Sequence, residues 1–384
     1  MRIVIDVNGI LDPNGGVNNF IRMLVARLAD IDTENEYVLY LHQWRAPDTA
    51  ALELVIPRRP NFKFVWHRMP NSVSLFAEYK LGFPLAERFL KLGPGDVFHG
   101  PANLVPRFRK ARSVISLHHF QRVGDPLFKN RLGTRARFYF NTSESALKYA
   151  DTVVAISETT RKDLVERLGL QEKDIPVIYP GGPRPTSRPI DNALLSSRLK
   201  ALLPGPYMLF VGPVNERKNL PAFLEAFASV KEKLGGCRIA VTGFASADYA
   251  AEIDAVLEKL TLRKDVSFVG NVSDEELAVL YNLAVCLAYP SLYEGYGAPP
   301  VEAMACGCPV IASNAAAIPE VTAGAALLFD PTDLHAMAKA ILRINDDAEL
   351  RRDLAAKGLA RAKAFSWEKM AREYINIYKR TSTS

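Results

Sequence analysis

Glu294 and Glu302 stand eight residues apart in the stretch Tyr289-Pro-Ser-Leu-Tyr-Glu-Gly-Tyr-Gly-Ala-Pro-Pro-Val-Glu-Ala-Met-Ala-Cys-Gly-Cys-Pro309. The run from Val285 to Tyr289 is apolar, so the stretch opens where a buried strand is expected to end. Gly295 and Gly297 let the backbone approach a ligand closely, and Pro299-Pro300 pre-sets the first turn of a helix. The amides from Gly297 and Ala298 onward then lie at the positive end of a helix dipole, a ready site for phosphate. Glu302, in the first turn, suits hydrogen bonds from sugar or ribose hydroxyls. A solvated helix face would also explain two glutamates at this spacing. Against it, Glu294 is flanked by Leu292, Tyr293 and glycines rather than by charges.

A second loop brings cations. Phe210-Val-Gly-Pro-Val-Asn-Glu-Arg217-Lys218-Asn219 follows the apolar run Tyr207 to Val211 and precedes a helix starting near Leu220. A diphosphate carries two or more negative charges, so Arg217 and Lys218 at a strand's C-terminal end are chemically apt. Near the N-terminus, Asn14-Gly15-Gly16-Val17 occupies the first strand-to-helix loop, where two glycines allow close approach to a sugar or phosphate. No metal site is expected. The six histidines are not spaced as ligands, and Cys306-Gly-Cys308 has the wrong spacing for zinc with no second pair nearby. No Asp-x-Asp pair stands where a magnesium–nucleotide site would need it. Arg217 and Lys218 can supply the positive charge a metal would otherwise bring, so neither metal nor cofactor is expected.

The elements that must position these residues alternate along the chain. Strand-like runs at Ile3–Val7, Tyr37–His42, Phe62–Trp66, Val97–His99, Ser113–His118, Thr152–Ile156 and Ile175–Tyr179 fill the first half. The second half begins again at Tyr207–Val211 and continues with Arg238–Thr242, Val266–Val269, Val285–Tyr289 and Pro309–Ala312, with helical patterns between them. A Pro/Gly cluster, Pro180-Gly-Gly-Pro-Arg-Pro185, punctuates the middle. Repeated strand–helix units predict α/β architecture with a doubly wound parallel sheet in each half. The expected domains are 1–185 and 186–365, two Rossmann-like units facing each other across a cleft lined by strand C-termini, with a closing helix in 366–384.

The 384 residues carry a net charge of +6, and ten Lys or Arg against two acids fall between Gly100 and Tyr149. That basic face suits an anionic partner, although it would also serve simple solubility. No nucleic-acid recognition module accompanies it. The segment from Leu75 to Leu92 mixes Leu75, Phe76, Tyr79, Leu81, Phe83, Leu85 and Phe89 with Lys80, Arg88 and Lys91. It reads either as an interfacial element, broken into two short helices by Gly82 and Pro84, or as ordinary core. Neither a signal peptide nor an uninterrupted apolar run long enough to span a bilayer is found, and the four cysteines read as reduced, buried thiols. A cytoplasmic protein is expected, with peripheral contact at the inner face of an anionic membrane.

Together these motifs resemble glycosyltransferase family 4, retaining enzymes of the GT-B fold that use nucleotide-sugar donors. Gly15-Gly16-Val17 looks like the family's donor loop. His99-Gly-Pro101 with Pro106, and Ser116-Leu-His118, look like its first-domain strand ends. Arg217-Lys218-Asn219 is similar to its diphosphate cations, Gly270-Asn-Val272 to the loop that meets the base, and Glu294 to Glu302 to its E-x7-E signature. Phe365-Ser-Trp367 fits the start of a final helix crossing back to the first domain. The resemblance implies that His118 lies at the acceptor side, that Glu294 contacts the donor sugar and that Glu302 contacts the ribose. It also implies front-face attack by an acceptor hydroxyl without a metal. Where many members have His-Asp, this chain has His118-His119, which leaves the local acid–base arrangement open. The nearest likeness is to bacterial mannosyltransferases of surface polysaccharide synthesis, implying GDP-mannose as donor and a saccharide or lipid-linked saccharide as acceptor. A UDP-sugar transferase, an epimerase and a non-catalytic sugar-nucleotide-binding subunit stay open as alternatives.

Overall fold

The computed structural model describes residues 1–11, 16–46, 56–70, 73–74, 76–118, 134–191 and 193–383. Asn14, Gly15, Leu75, His119, Arg122, Lys129 and Arg131 therefore lie outside the described residues. The chain forms two compact units, Met1–Gly181 with Ser366–Ser384, and Gly182–Phe365.

In the first unit the strands are β1 (Arg2–Asp6), β2 (Glu36–Gln43), β3 (Phe62–Arg68), β4 (Val97–Gly100), β5 (Arg112–Leu117) and β6 (Thr152–Ala155). They pair in parallel in the order β3-β2-β1-β4-β5-β6. Ile3, Val4 and Ile5 are all fully buried, which is why β1 is a continuous apolar run rather than an alternating one: helices cover both faces of the sheet. The helix Gly16–Ile31 buries Phe20, Ile21, Leu24, Val25 and Leu28 at helical spacing.

The last helix, Trp367–Thr383, buries Met370, Ala371, Tyr374, Ile377 and Tyr378 in the same core. Its hydroxyls complete a polar chain. Tyr378 Oη lies 2.7 Å from His99 Nδ1, His99 Nε2 2.7 Å from Ser116 Oγ, and Ser116 Oγ 2.7 Å from Tyr374 Oη. Burial pushes the His99 imidazole down to about 3, with His118 nearby adding to the push, so the chain is neutral at physiological pH. Where the connection between units begins, a Cβ on Gly181 would lie 2.5 Å from Trp367 Cα, so glycine is required for this close approach.

The second unit repeats the topology. Strands β7 (Tyr207–Phe210), β8 (Arg238–Thr242), β9 (Val266–Gly270), β10 (Cys286–Tyr289), β11 (Val310–Ser313) and β12 (Leu327–Phe329) pair in parallel as β12-β11-β10-β7-β8-β9. Counted within its unit, each sheet has the strand order 3-2-1-4-5-6 of the doubly wound fold. The order reverses between β1 and β4 in one unit and between β7 and β10 in the other. Ligands of such sheets bind outside the strand ends at that reversal.

Two local expectations are revised. Ile175–Tyr179 makes a single bridge, Ala155 to Val177, rather than a strand, because Pro176 lacks the N–H a ladder needs. The helix expected over Leu220–Leu234 stops at Ala228, where Ser229 Oγ donates back to the Ala226 carbonyl at 2.7 Å, and a short turn, Lys231–Lys233, follows. Cys237, Cys286, Cys306 and Cys308 are free and buried. Among the described residues no helix is long and apolar enough to cross a membrane.

The neutral polar chain yields a stability prediction. Tyr378→Phe leaves a buried ring nitrogen of His99 unpaired and should cost about 1–3 kcal/mol, read as a lowered midpoint in chemical denaturation of the full chain. A midpoint equal to wild type would show that the last helix is held by its apolar face alone.

Candidate active site

The second unit's cations are fixed from the backbone outward. After β7, Asn215 Oδ1 accepts the Lys218 N–H at 3.3 Å and closes the short turn Glu216–Lys218. Asn219 follows in the left-handed region (φ 57°), its Nδ2 donating to the Pro331 carbonyl at 2.9 Å. Lys218 is thereby turned inward to 4% exposure. Gly212 makes room for it: a Cβ there would stand 3.2 Å from Lys218 Cε.

From β10, on the other side of the strand-order reversal, come the partners. Lys218 Nζ donates to Tyr289 Oη at 2.7 Å and pairs with Glu294 Oε1 at 2.8 Å. Arg217 pairs with the same oxygen at 2.5 Å and donates to the Tyr293 carbonyl at 2.8 Å. The Leu292 N–H donates to the Arg217 carbonyl at 2.8 Å, tying the two loops together. Two cations share one carboxylate, leaving the cluster at +1 and suited to a further anion.

Burial alone would raise the Glu294 carboxyl, but the Arg217 and Lys218 charges outweigh it and hold it at about 2. Burial pushes the Lys218 ammonium down, Arg217 adds to the push, and Glu294 only partly offsets them, leaving it at about 8. Both groups are therefore ionised at neutral pH. The ionised Glu294 contributes stability that is present above the ordinary value of 4.5 and is lost as pH falls toward 2. Lys218 runs the opposite way, since its buried charge costs the folded state below about pH 8, a cost relieved as pH rises.

Gly297 lies in the left-handed region (φ 103°) and begins the helix Ala298–Ala305, with a would-be Cβ only 3.0 Å from Ile318 Cδ1. Proline at 299 and 300 removes two of the first-turn N–H groups. Ala298 is therefore the only N–H donor among the first three helical residues, a smaller amide set than the loop suggests. Glu302, 3% exposed, is already engaged: Arg184 Nε donates to Oε1 at 2.8 Å and Tyr281 Oη to Oε2 at 3.3 Å. Burial raises its pKa, with Arg184 pulling the other way. Arg184 also pairs with Asp274. Val272 is half-buried, just ahead of Ser273, which caps the helix Asp274–Leu283 through a reciprocal capping box with Glu276.

In the first unit His118 directly follows β5 and is buried, its ring edge-on to Phe20 at 4.7 Å between centroids. Its N–H donates to Asn103 Oδ1 at 2.6 Å, and its Nε2 lies 2.8 Å from the Pro101 carbonyl. A carbonyl only accepts, so Nε2 carries the proton and Nδ1 is the acceptor. Burial pushes the ring down to about 4 despite the Pro101 carbonyl, so His118 is neutral near pH 7. Gly16 opens the helix Gly16–Ile31 exposed, with nothing within 4 Å of where a Cβ would stand.

Residues 14–181 match the family described as Glycosyltransferase Family 4, and residues 197–361 match Glycosyl transferases group 1. The chain belongs to the family 4 glycosyltransferases. Among relatives, O-antigen chain mannosyltransferase B of Escherichia coli is 29% identical over 299 residues, covering 74% of each chain. The serotype-specific mannosyltransferase WbdA of Escherichia coli is 27% identical over 72% of this chain, which spans only 32% of that longer protein. Among solved structures, sucrose-phosphate synthase from Thermosynechococcus elongatus superposes with a TM-score of 0.75 at 22% identity, covering 99% of this chain and 98% of that one. HepE of Anabaena, solved with UDP and glucose, gives 0.73 at 17% identity over 99% of this chain and 100% of that one. These likenesses show the GT-B fold.

Within the glycosyltransferase's second unit, Arg217, Lys218 and Glu294 form one cluster, while Glu302 belongs to a separate one with Arg184 and Tyr281. Sequence reading missed Tyr289, Arg184 and Tyr281. Tyr289 was readable as the polar-tipped residue ending an apolar strand beside the glutamate loop. Arg184 was readable as a cation between two prolines in the connection.

The cation cluster predicts a pH profile. If the cluster takes a diphosphate, Lys218 must be charged to hold it, and it loses its proton as pH rises through about 8. The specificity constant for donor should therefore fall on the alkaline side with a midpoint near pH 8. Lys218→Ala should lower turnover on the order of 10²–10³-fold. A profile flat to pH 9.5, or wild-type turnover in the variant, would remove Lys218 from the mechanism.

Proposed function

We propose that this glycosyltransferase moves a mannosyl group from GDP-mannose to a saccharide or lipid-linked saccharide acceptor in building a surface polysaccharide. The transfer retains configuration and needs no metal. The observation that carries this reading is the Arg217–Glu294–Lys218 cluster at the strand-order reversal of the second unit, with its surplus positive charge. The choice of sugar follows the activity of the O-antigen chain mannosyltransferase relative.

In this reading the diphosphate meets Lys218, Arg217 and the Ala298 amide. As the bond from the anomeric carbon to the diphosphate oxygen breaks, the acceptor oxygen bonds to that carbon on the same face and its hydroxyl proton passes to the departing diphosphate oxygen. The growing negative charge on the departing phosphate is held by fixed cations, which act most strongly where water is excluded. Glu294, ionised and anchored on its Oε1, orients a donor-sugar hydroxyl. Glu302 retains lone pairs for the ribose beyond those taken by Arg184 and Tyr281. His118, neutral with its proton on Nε2, contributes Nδ1 as an acceptor for a sugar hydroxyl rather than acting as an acid.

Metal independence is read from the two cations: Arg217 and Lys218 can supply the positive charge that a metal would otherwise bring to the leaving diphosphate. Full activity is expected in excess EDTA. Activity abolished by chelation and restored by Mg²⁺ or Mn²⁺ would overturn the metal-free reading. GDP-mannose should be turned over in preference to UDP-glucose in a coupled assay with polysaccharide-derived acceptors, and the reverse preference would overturn the donor assignment.

Contact with an anionic membrane is supported by the first unit. Phe76, Leu81, Phe83 and Phe89 are 43–57% exposed, while Ala86 and Leu92 pack into the first unit's core, so the segment is part surface and part core. It forms a turn at Phe76–Lys80 and a helix at Leu85–Leu90. From that helix Glu87 Oε2 accepts the Arg109 and Lys110 N–H groups at 2.7 and 2.8 Å, tying the exposed rings to an exposed basic loop. Cations beside apolar side chains favour the surface of an anionic bilayer. Liposomes rich in anionic lipid should retain the protein at low salt and release it at high salt. Reversing Arg107, Arg109 and Lys110 to Glu should abolish retention, and a wild type that ignores such liposomes would favour a soluble acceptor.

A further inference from the structure

Three neighbouring strands of the second unit end in glycines with positive φ: Gly212 after β7 at 126°, Gly243 after β8 at 91°, and Gly270 closing β9 at 71°. They are in direct contact. The Gly243 N–H donates to the Gly270 carbonyl at 3.1 Å, and a Cβ on Gly243 would lie 2.3 Å from the Gly212 carbonyl oxygen. Any side chain at Gly243 would collide with backbone, and the left-handed conformation disfavours one at all three. The result is a strip of bare backbone across the strand ends.

The strip has chemistry at both ends. At Gly212 it meets Lys218. At Gly270 it meets Phe244, whose ring atoms Cε1 and Cζ lie 3.7 Å from where a Gly270 Cβ would stand. Phe244 is 63% exposed, yet its backbone is pinned: its carbonyl accepts the Val214 N–H at 2.9 Å, and Ala245 bridges to Val214. A register shift between Val241 and Thr242, just upstream, re-aims this end of β8, as bulges beside binding sites do. Single exposed apolar side chains are ordinary on a surface. This one stands on a pinned backbone at the far end of a side-chain-free strip that starts at a buried cation.

The spacing suits a nucleotide. Three adjacent strands at about 4.8 Å each place the two ends of the strip about 10 Å apart. A nucleoside diphosphate has its base and its phosphates separated by a ribose, which needs close backbone approach and no side chain in its way. We propose that Phe244 is the stacking platform for the donor's nucleobase, with the ribose lying over the Gly212–Gly243–Gly270 strip. The proposal rests on the reading of Lys218 and Arg217 as the diphosphate cations. Every base presents a π-face, so the ring supplies affinity for any nucleobase and leaves the choice of base to hydrogen bonds elsewhere.

The test is equilibrium binding of GDP, UDP and inorganic pyrophosphate to the full chain by calorimetry, for wild type, Phe244→Ala and Phe244→Trp, with thermal melts confirming the fold. Phe244→Ala should weaken both nucleotides by between about fivefold and a hundredfold. It should leave pyrophosphate affinity unchanged, and Phe244→Trp should bind nucleotides at least as well as wild type. Nucleotide affinity unchanged in Phe244→Ala overturns the platform alone. An equal loss for pyrophosphate also overturns it, because the ring would then be supporting the cation loop. A wild type that binds pyrophosphate but neither nucleotide overturns the platform and leaves the cations standing. A wild type that binds none of the three overturns the donor reading and the platform together.

Discussion

Lys218 keeps its proton at 4% exposure because Glu294 stands 2.8 Å away, and Glu294 stays ionised because Arg217 and Lys218 both bear on one of its oxygens. None of the three charges would be tolerated in that position alone. Removing one partner from a buried pair commonly costs about 3–5 kcal/mol, because the other is stranded. The constraint reaches back into the fold. It requires a bare Gly212 beside the lysine, a left-handed Asn219 to turn the chain into the next helix, and β7 and β10 as direct neighbours. The 3-2-1-4-5-6 strand order is what makes those two strands adjacent, so the topology and the electrostatics of the site are a single requirement.

Much of this arrangement was legible in the sequence because the relevant signals are local. Unbroken apolar runs such as Ile3–Ile5 and Val285–Tyr289 mark strands buried on both faces, and Pro299-Pro300 after Gly297 marks a helix start. What failed also failed for local reasons, as at Pro176 and Ser229, where one residue's hydrogen bonding overrides the apolar pattern around it. The cations at 217 and 218 and the glutamate at 294 were recognisable as chemistry. That they form one ion cluster was not, because the pairing spans more than seventy residues and is decided by strand order. Glu302 shows the same limit: its spacing from Glu294 suggested a common role, whereas its partners, Arg184 and Tyr281, belong to other segments altogether. Periodicity says nothing about such contacts.

The two units use one topology for opposite electrostatics. At the strand ends of the first unit the two buried histidines are neutral. His99 is held at about 3 and His118 at about 4, and the tyrosine hydroxyls of the last helix complete their hydrogen bonds. At the strand ends of the second unit the buried groups are charged, and they stay charged only through one another. A neutral network tolerates burial with its hydrogen bonds made and asks for no counter-ion. A charged cluster with a surplus of +1 remains incompletely compensated until an anion arrives. This asymmetry fits the proposed division of roles: hydroxyl-rich, uncharged groups suit the first unit, and a diphosphate suits the second. It also locates the sensitivity to pH. Near neutrality neither histidine changes charge, so the alkaline response falls to Lys218, among the described residues the one buried cation whose proton is weakly enough held to leave near pH 8.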